Sequence, residues 1–153
     1  MSDPRYPIGK FSYDGPLTAE QKQQYLTDIE QTPARLRAAL HGLSGEQLDT
    51  PYRDGGWTLR QVAHHVPDSH MNSYIRFKLA LTENEPTIKP HLENLWAELP
   101  EAKRAPIEVS LALLDSLHQR WMLMLRELTD GEWKRTFRHP VAHVTSLRER
   151  RGW

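Results

Sequence analysis

The sequence predicts an all-α protein, and three observations support this fold class. Apolar residues recur at three- and four-residue spacings over residues 58–81 and 109–128, as they do along the buried face of a helix. Thr18 and Thr58 are each followed three positions later by Gln, which is the pattern of a helix-capping box. No alternation typical of a strand extends over a useful length, and no internal repeat is evident.

The first predicted helix follows an irregular lead-in rich in proline and glycine, residues 1–17. Thr18 and Gln21 mark its start, and the helical pattern continues to about Leu40. Because Pro33 lies inside this pattern, we expect a kink just before it.

Two further start signals follow along the chain. Ser44 with Gln47 indicates a short turn or helix, and Thr58 with Gln61 opens the first of the two long periodic stretches. Pro67 removes one backbone hydrogen bond near the beginning of that helix, which predicts a bend there.

A proline-rich connection over residues 82–108 separates the two long helices. A connection of this length is usually functional or packed across the surface, and we expect Trp96 and Leu99 to anchor it. Beyond it, the amphipathic helix at 109–128 ends in a short turn that carries Trp133.

The last predicted helix begins at Pro140 and ends near Arg151. It has about twelve residues and spans roughly 18 Å, whereas each of the long helices spans about 30 Å or more. A four-helix bundle built from this chain is therefore short by about half a helix.

Length and composition indicate one domain over residues 1–153. The 20 Lys and Arg balance the 20 Asp and Glu, which gives no electrostatic reason to expect a nucleic acid or a membrane as partner. No apolar run approaches the ~20 residues that span a bilayer, and no signal-peptide core follows Met1. The chain has no Cys and 8 His, so a metal ion must be held by His, Asp or Glu.

The helix that precedes the proline-rich connection carries the densest group of polar residues. His65, Ser69 and Asn72 share one face, while His64 lies about 100° away beside Asp68. Imidazole suits Zn, Ni or Fe, and a neighbouring carboxylate can orient it. From spacing alone, a metal ligand and an ordinary structural histidine are about equally favoured at His65.

The other histidines give weaker signals. His139 and His143 have the spacing of paired ligands, but Pro140 lies between them, so their side chains need not converge. Three others are interpreted as ordinary surface or core histidines: His41, His91 and His118.

Residues 48–78 contain a run of specific motifs. They include Asp54-Gly55-Gly56-Trp57-Thr58, Arg60-Gln61-Val62 and His64-His65-Val66. Matching segments occur at Arg5-Tyr6-Pro7-Ile8-Gly9 and Phe137-Arg138-His139-Pro140, so the match extends over nearly all of residues 5–140. Together these motifs resemble the YfiT branch of the DinB-like superfamily.

The resemblance implies a four-helix bundle that binds one divalent ion per subunit, Zn²⁺ or Ni²⁺, through three histidines. It also implies a cytoplasmic homodimer that acts on a small molecule as a metal-dependent hydrolase. Relatives of the same fold are thiol S-transferases that use a low-molecular-weight thiol such as bacillithiol. The first family ligand corresponds to His65, and the other two lie on the last helix, in a stretch that this chain lacks.

This departure from the family pattern begins after Pro140. About two dozen residues are missing there, including the first half of the fourth helix, in agreement with the helix lengths above. His143 corresponds to a family histidine beyond the ligand pair and is not carried over as a ligand. A natural deletion would remove core packing together with two ligands, which favours an omission from the sequence over a natural loss.

Two hypotheses of different class follow. In the first, the protein is an enzyme in which a metal ion at His65 activates water or a small-molecule thiol. His64 and Asp68 are then candidates to orient ligands or accept a proton, and Asn72 and Arg76 to contact an anionic substrate group. In the second, it is a metal-free helical binding or dimerisation module, because one histidine does not make a tight metal site.

Overall fold

The computed structural model describes residues 17–137. They form seven helices: α1 (Ala19–Leu40), α2 (Gly45–Leu48), α3 (Leu59–Thr82), α4 (Glu93–Trp96), α5 (Pro100–Arg104), α6 (Ile107–Arg126) and α7 (Asp130–Phe137). This part of the chain contains no strand, and the predicted all-α fold is confirmed. None of these helices is both long and apolar enough to cross a bilayer. The predicted lead-in, except for Leu17, and the shortened last helix lie outside the described residues.

Capping boxes fix where α1, α2 and α3 begin, as the sequence predicts. In each box the N-cap hydroxyl accepts a hydrogen bond from the backbone of a Gln three residues on, and the Gln side chain accepts one in return. For α3, the Gln61 backbone N lies 3.1 Å from Thr58 Oγ1, and the Thr58 N lies 2.9 Å from Gln61 Oε1. Pro33 and Pro67 lie within α1 and α3, and both helices continue past them.

The core lies where α6 packs against both α1 and α3. One apolar cluster includes Leu36, Val62, Leu111 and Leu114. A second includes Ile29, Phe77, Trp121 and Trp133. Each fully buried side chain of this kind contributes about 1.5–3 kcal/mol to folding. Since α3 contributes to both clusters, its polar face is held in a defined position.

The proline-rich connection is more ordered than the sequence predicts, because it contains α4 and α5. The predicted anchors are wrong, since Trp96 and Leu99 remain 37% and 46% exposed. Ala97 and Ala102 are buried instead, at 3% exposure each. A small side chain lets a short helix lie close against α3, where the Gln61 amide donates to the Ala97 carbonyl at 2.7 Å.

The segment after α6 is a helix rather than the predicted short turn. The Thr129 hydroxyl accepts from the Glu132 backbone N–H at 3.3 Å, and the Glu132 carboxylate accepts from the Thr129 N–H at 2.8 Å. This reciprocal cap starts α7, which packs against α3 and buries Trp133.

Candidate metal centre

Four polar residues lie along one face of α3. His65, Ser69, Asn72 and Arg76 fall within about 60° of one another around the helix axis. Three of them are buried, with His65 at 4%, Ser69 at 1% and Arg76 at 8% exposure. The Ser69 hydroxyl has no hydrogen-bond partner among residues 17–137. A buried polar face of this kind is typical of a site that receives a ligand.

The structure brings His65 together with two residues of the proline-rich connection. His65 projects from α3, His91 precedes α4, and Glu93 is the first residue of α4. One ligand atom from each of the three lies within 4.8 Å of the other two. Nε2 of His65 and Oε2 of Glu93 are 3.7 Å apart. The imidazole of His65 is buried, whereas the other two side chains are partly exposed.

The donor set fits a divalent transition metal. Two imidazoles and one carboxylate form a ligand set of catalytic zinc sites, which keep a further position open for water or substrate. Donors bound about 2.0–2.2 Å from zinc lie at most about 4 Å apart, so small side-chain movements would close this cluster around an ion. His65, His91 and Glu93 could therefore hold one metal ion.

Aromatic rings support the two imidazoles. The Trp57 ring lies 4.8 Å from that of His65, and the Trp96 ring lies 5.1 Å from that of His91, measured between centroids. Burial lowers the pKa of His91; the charge of Glu93 raises it and that of Arg76 lowers it. The net lowering favours the neutral imidazole, which is the form that binds metals.

The structure places His64 away from this cluster. Its Nε2–H donates to the Ala105 carbonyl at 3.1 Å, and its Nδ1 accepts from the Ser110 hydroxyl at 2.6 Å. Burial lowers the pKa of His64, which favours this neutral arrangement. His64 thus joins α3 to α6 and to the residue after α5.

Asp68 lies outside the cluster as well. Burial raises the pKa of Asp68 to about 6, and the charge of Glu101 in α5 adds to this effect. Within residues 17–137, no hydrogen bond joins the Asp68 carboxylate to His65 or His91. The Asn72 amide donates to the Asp68 backbone carbonyl at 2.8 Å.

Asn72 and Arg76 line a cavity that adjoins the cluster. The cavity has a volume of about 390 Å³, and His91 belongs to its wall. The other lining residues are Ile75, Leu79, Thr87, Ile88, Lys89, Pro90, Leu92 and Trp96. The polar face of α3 therefore leads from the candidate ligands into a pocket large enough for a small molecule.

The sequence pattern points to His65 but not to His91 and Glu93, the two residues that lie beside it in this structure. The sequence predicts an ordinary surface or core histidine at His91, because a lone histidine is more often that than a ligand. The available signal was the His-x-Glu pair inside an unusually long connection. The two ligands that the family resemblance places on the last helix belong to the stretch that this chain lacks.

Comparison with known proteins agrees with the family resemblance that the sequence motifs indicate. A family model described as the DinB superfamily matches residues 28–153. Relatives from Bacillus mycoides (strain KBAB4) and Bacillus cereus (strain B4264) are each 51% identical over all of both chains and carry the name "Putative metal-dependent hydrolase". YfiT from Bacillus subtilis, described as a probable metal-dependent hydrolase with an unusual four-helix bundle topology, superposes with a TM-score of 0.83 at 44% identity. That match covers 97% of this chain and 98% of YfiT.

The alignments with these relatives also show that this chain is shorter than the aligned length. They extend over 174 positions, whereas this chain has 153 residues, so 21 positions or more have no counterpart here. This difference is close to the two dozen residues that the family pattern predicts to be missing.

Proposed function

The chain belongs to the DinB superfamily, and on that basis we propose that it is a metal-dependent hydrolase whose metal ion is held by His65, His91 and Glu93. The observation that carries the proposal is the convergence of two imidazoles and one carboxylate within 4.8 Å. The names of the relatives support the reaction class. We propose Zn²⁺ or Ni²⁺ as the ion, since imidazole suits both.

The side chains around the cluster have separable roles in this proposal. His65, His91 and Glu93 bind the ion, which when bound supplies a hydroxide nucleophile near neutral pH. Trp57 and Trp96 hold the imidazoles in place and limit the access of bulk water. Asn72 and Arg76 orient the substrate in the adjoining cavity.

Metal titration tests the ligand assignment directly. Metal-free protein is titrated with Zn²⁺ and with Ni²⁺, and we expect about one equivalent to bind per chain. His65→Ala, His91→Gln and Glu93→Gln should each weaken binding by about tenfold or more, because each removes one of the three donors. His41→Ala is the matched control, since His41 is exposed at the end of α1.

The titration also separates the two classes of function. Unchanged binding in all three ligand variants would contradict the assignment. Less than about a tenth of an equivalent bound by the unmodified protein would favour the metal-free binding or dimerisation module.

Thiol transfer is the second reaction that this centre could perform. A metal ion held here would also favour deprotonation of a thiol, and the absence of Cys means that the thiol must be a small-molecule cosubstrate. One assay measures ester hydrolysis with and without added free cysteine. A second assay measures conjugation of free cysteine to an electrophilic bimane. For a hydrolase, we expect ester cleavage that does not depend on the thiol and no accelerated conjugation.

Assembly as a homodimer is part of the proposal. Val109 and Leu113 are 59% and 41% exposed on successive turns of α6, which leaves an apolar strip for a second copy to cover. Sedimentation velocity should show a dimer that Val109→Glu and Leu113→Glu together convert to a monomer. A monomer in the unmodified protein would contradict this part.

A further inference from the structure

Arg76 is a buried cation with no counter-charge bound to it among residues 17–137. Its side chain is only 8% exposed, and no ion pair or hydrogen bond within residues 17–137 engages its guanidinium group. Burial of a charge is unfavourable unless a partner compensates it, so charged side chains are rarely buried alone. An anionic ligand that reached the guanidinium would supply the missing negative charge and offset the cost of burying it. Arg76 lines a cavity from which a ligand could do so.

The cavity that Arg76 lines combines cationic side chains with an apolar part of the wall. Lys89 provides a second cation, and no Asp or Glu is among the lining residues. Leu79, Ile88 and Trp96 belong to the apolar part of the wall. This composition fits a molecule with one anionic group and an apolar body.

The cavity also has a defined relation to the candidate metal centre. His91 belongs both to the cavity wall and to the donor cluster. Arg76 follows His65 by three turns on the same face of α3, and its side chain tilts back toward the helix N-terminus. The helical rise and this tilt place the guanidinium on the order of 10 Å from the donors. One small molecule could therefore contact both.

We propose that Arg76 binds a carboxylate or phosphate group of the substrate, so that the hydrolase acts on anionic small molecules. The planar guanidinium can donate two parallel hydrogen bonds to either group. Asn72 lies one turn earlier on the same face and can donate to a neighbouring oxygen. This inference rests on the proposed function for the reaction itself, but the anion site can be tested without it.

Calorimetric titration with three matched probes tests the proposal. The probes are 4-phenylbutyrate, its uncharged carboxamide, and 4-phenylbutyl phosphate, and the full chain is used both metal-free and zinc-loaded. We expect the metal-free protein to bind at least one anionic probe about tenfold more tightly than the carboxamide, because only an anion compensates Arg76. The tighter of the two anions identifies the group that the site prefers.

Variants show which cation is responsible. Arg76→Gln should remove the preference for the anion and leave carboxamide binding unchanged. Lys78→Gln is the control, because it removes one exposed positive charge from the same helix outside the cavity. If Arg76→Gln does not fold, Arg76→Lys serves instead and should weaken anion binding several-fold through loss of the paired hydrogen bonds.

The outcomes distinguish this proposal from the proposed function. Equal affinity for all three probes, or a preference that survives in the Arg76 variants, would overturn the anion site. A preference seen only in zinc-loaded protein would assign the anion to the metal and overturn it as well. Anion binding that depends on Arg76, in a chain that binds no zinc, would support this site while contradicting the metal centre.

Discussion

Adjacent residues on a helix can serve different sites, and His64 and His65 illustrate this. Successive side chains are turned by about 100° around the axis, so one imidazole contacts the α5–α6 side while the other lies in the candidate metal-ligand cluster. His64 uses both ring nitrogens in hydrogen bonds to Ala105 and Ser110. His65 lies beside Glu93 instead.

Alanine substitution should separate these two roles. We expect His64→Ala to lower the free energy of unfolding of the metal-free protein by about 1–3 kcal/mol, because it leaves buried partners unsatisfied. Zinc stoichiometry should be unchanged in that variant. We expect His65→Ala to weaken zinc binding by about tenfold or more. Urea unfolding and zinc titration measure the two effects. Equal loss of zinc in both variants would contradict the assignment of a structural role to His64 and a ligand role to His65.

The sequence predicted which face of α3 carries the candidate site residues, but not which residues of the connection lie beside them. His65, Ser69, Asn72 and Arg76 follow helical spacing, and spacing is readable without a structure. His91 and Glu93 approach His65 through the path of the connection, which depends on tertiary packing. Their proximity therefore could not be derived from local pattern.

At the scale of elements, Gln61 links the start of α3 to the connection. Its Oε1 accepts from the Thr58 N–H, and its Nε2 donates to the Ala97 carbonyl just after α4. Because α4 begins at Glu93, this second bond helps to hold one proposed ligand near His65.

Gln61→Glu should weaken zinc binding although Gln61 is not a ligand. The carboxylate preserves the cap but cannot donate to Ala97, and it introduces repulsion with Glu98, whose carboxylate lies 3.5 Å from the Gln61 amide. We expect zinc affinity to fall by up to about tenfold, or 1.4 kcal/mol. Gln21→Glu makes the same change in the cap of α1, where Gln21 is exposed, and should leave affinity unchanged. Equal zinc affinity in both variants would contradict the role of Gln61 in holding Glu93 near His65.

The elements themselves were predictable to different degrees. The starts of α1, α2 and α3 follow from capping boxes, which are local and specific. The two short helices of the connection were not predicted, because α4 and α5 lack a side-chain cap and are too short to show periodicity. The prediction that Trp96 anchors the connection is wrong, because the small side chain of Ala97 is the one that is buried there.

At the scale of the whole molecule, a buried pair of histidines couples stability to pH. Nδ1–H of His118 donates to the Ile29 carbonyl at 2.6 Å, which leaves Nε2 to accept from Nδ1 of His70, also at 2.6 Å. Burial lowers the pKa of His118 to about 4, and the Ile29 carbonyl and Asp115 only partly offset this. The pair thus joins α1, α3 and α6 in a neutral state.

Acid should therefore destabilise the protein through His118. The unfolded chain takes up this proton near pH 6.5 and the folded protein only near pH 4, so stability is lost as the pH falls through that window. The loss amounts to about 3 kcal/mol. Asp68 acts in the opposite direction, since its raised pKa favours the protonated folded state.

Comparison with a variant isolates this contribution. His118→Asn keeps a donor toward Ile29 but does not titrate, so its unfolding free energy should depend less on pH between 6.5 and 4 than that of the unmodified protein. Urea unfolding at several pH values measures the slopes. His41→Asn, at an exposed position, should keep the original slope. Identical slopes for all three proteins would contradict the assignment to His118.

The proposed ligands come from two separate segments, and this has a consequence for motion. An ion bound by His65, His91 and Glu93 would cross-link α3 to the connection and close the intervening stretch of chain into a loop. Such a closure restricts the open conformations that the connection can visit. Amide hydrogens of residues 83–92 should then exchange with solvent more slowly in zinc-loaded protein, while those in the middle of α6 exchange at the same rate. The metal would act here as a reversible cross-link between α3 and the connection.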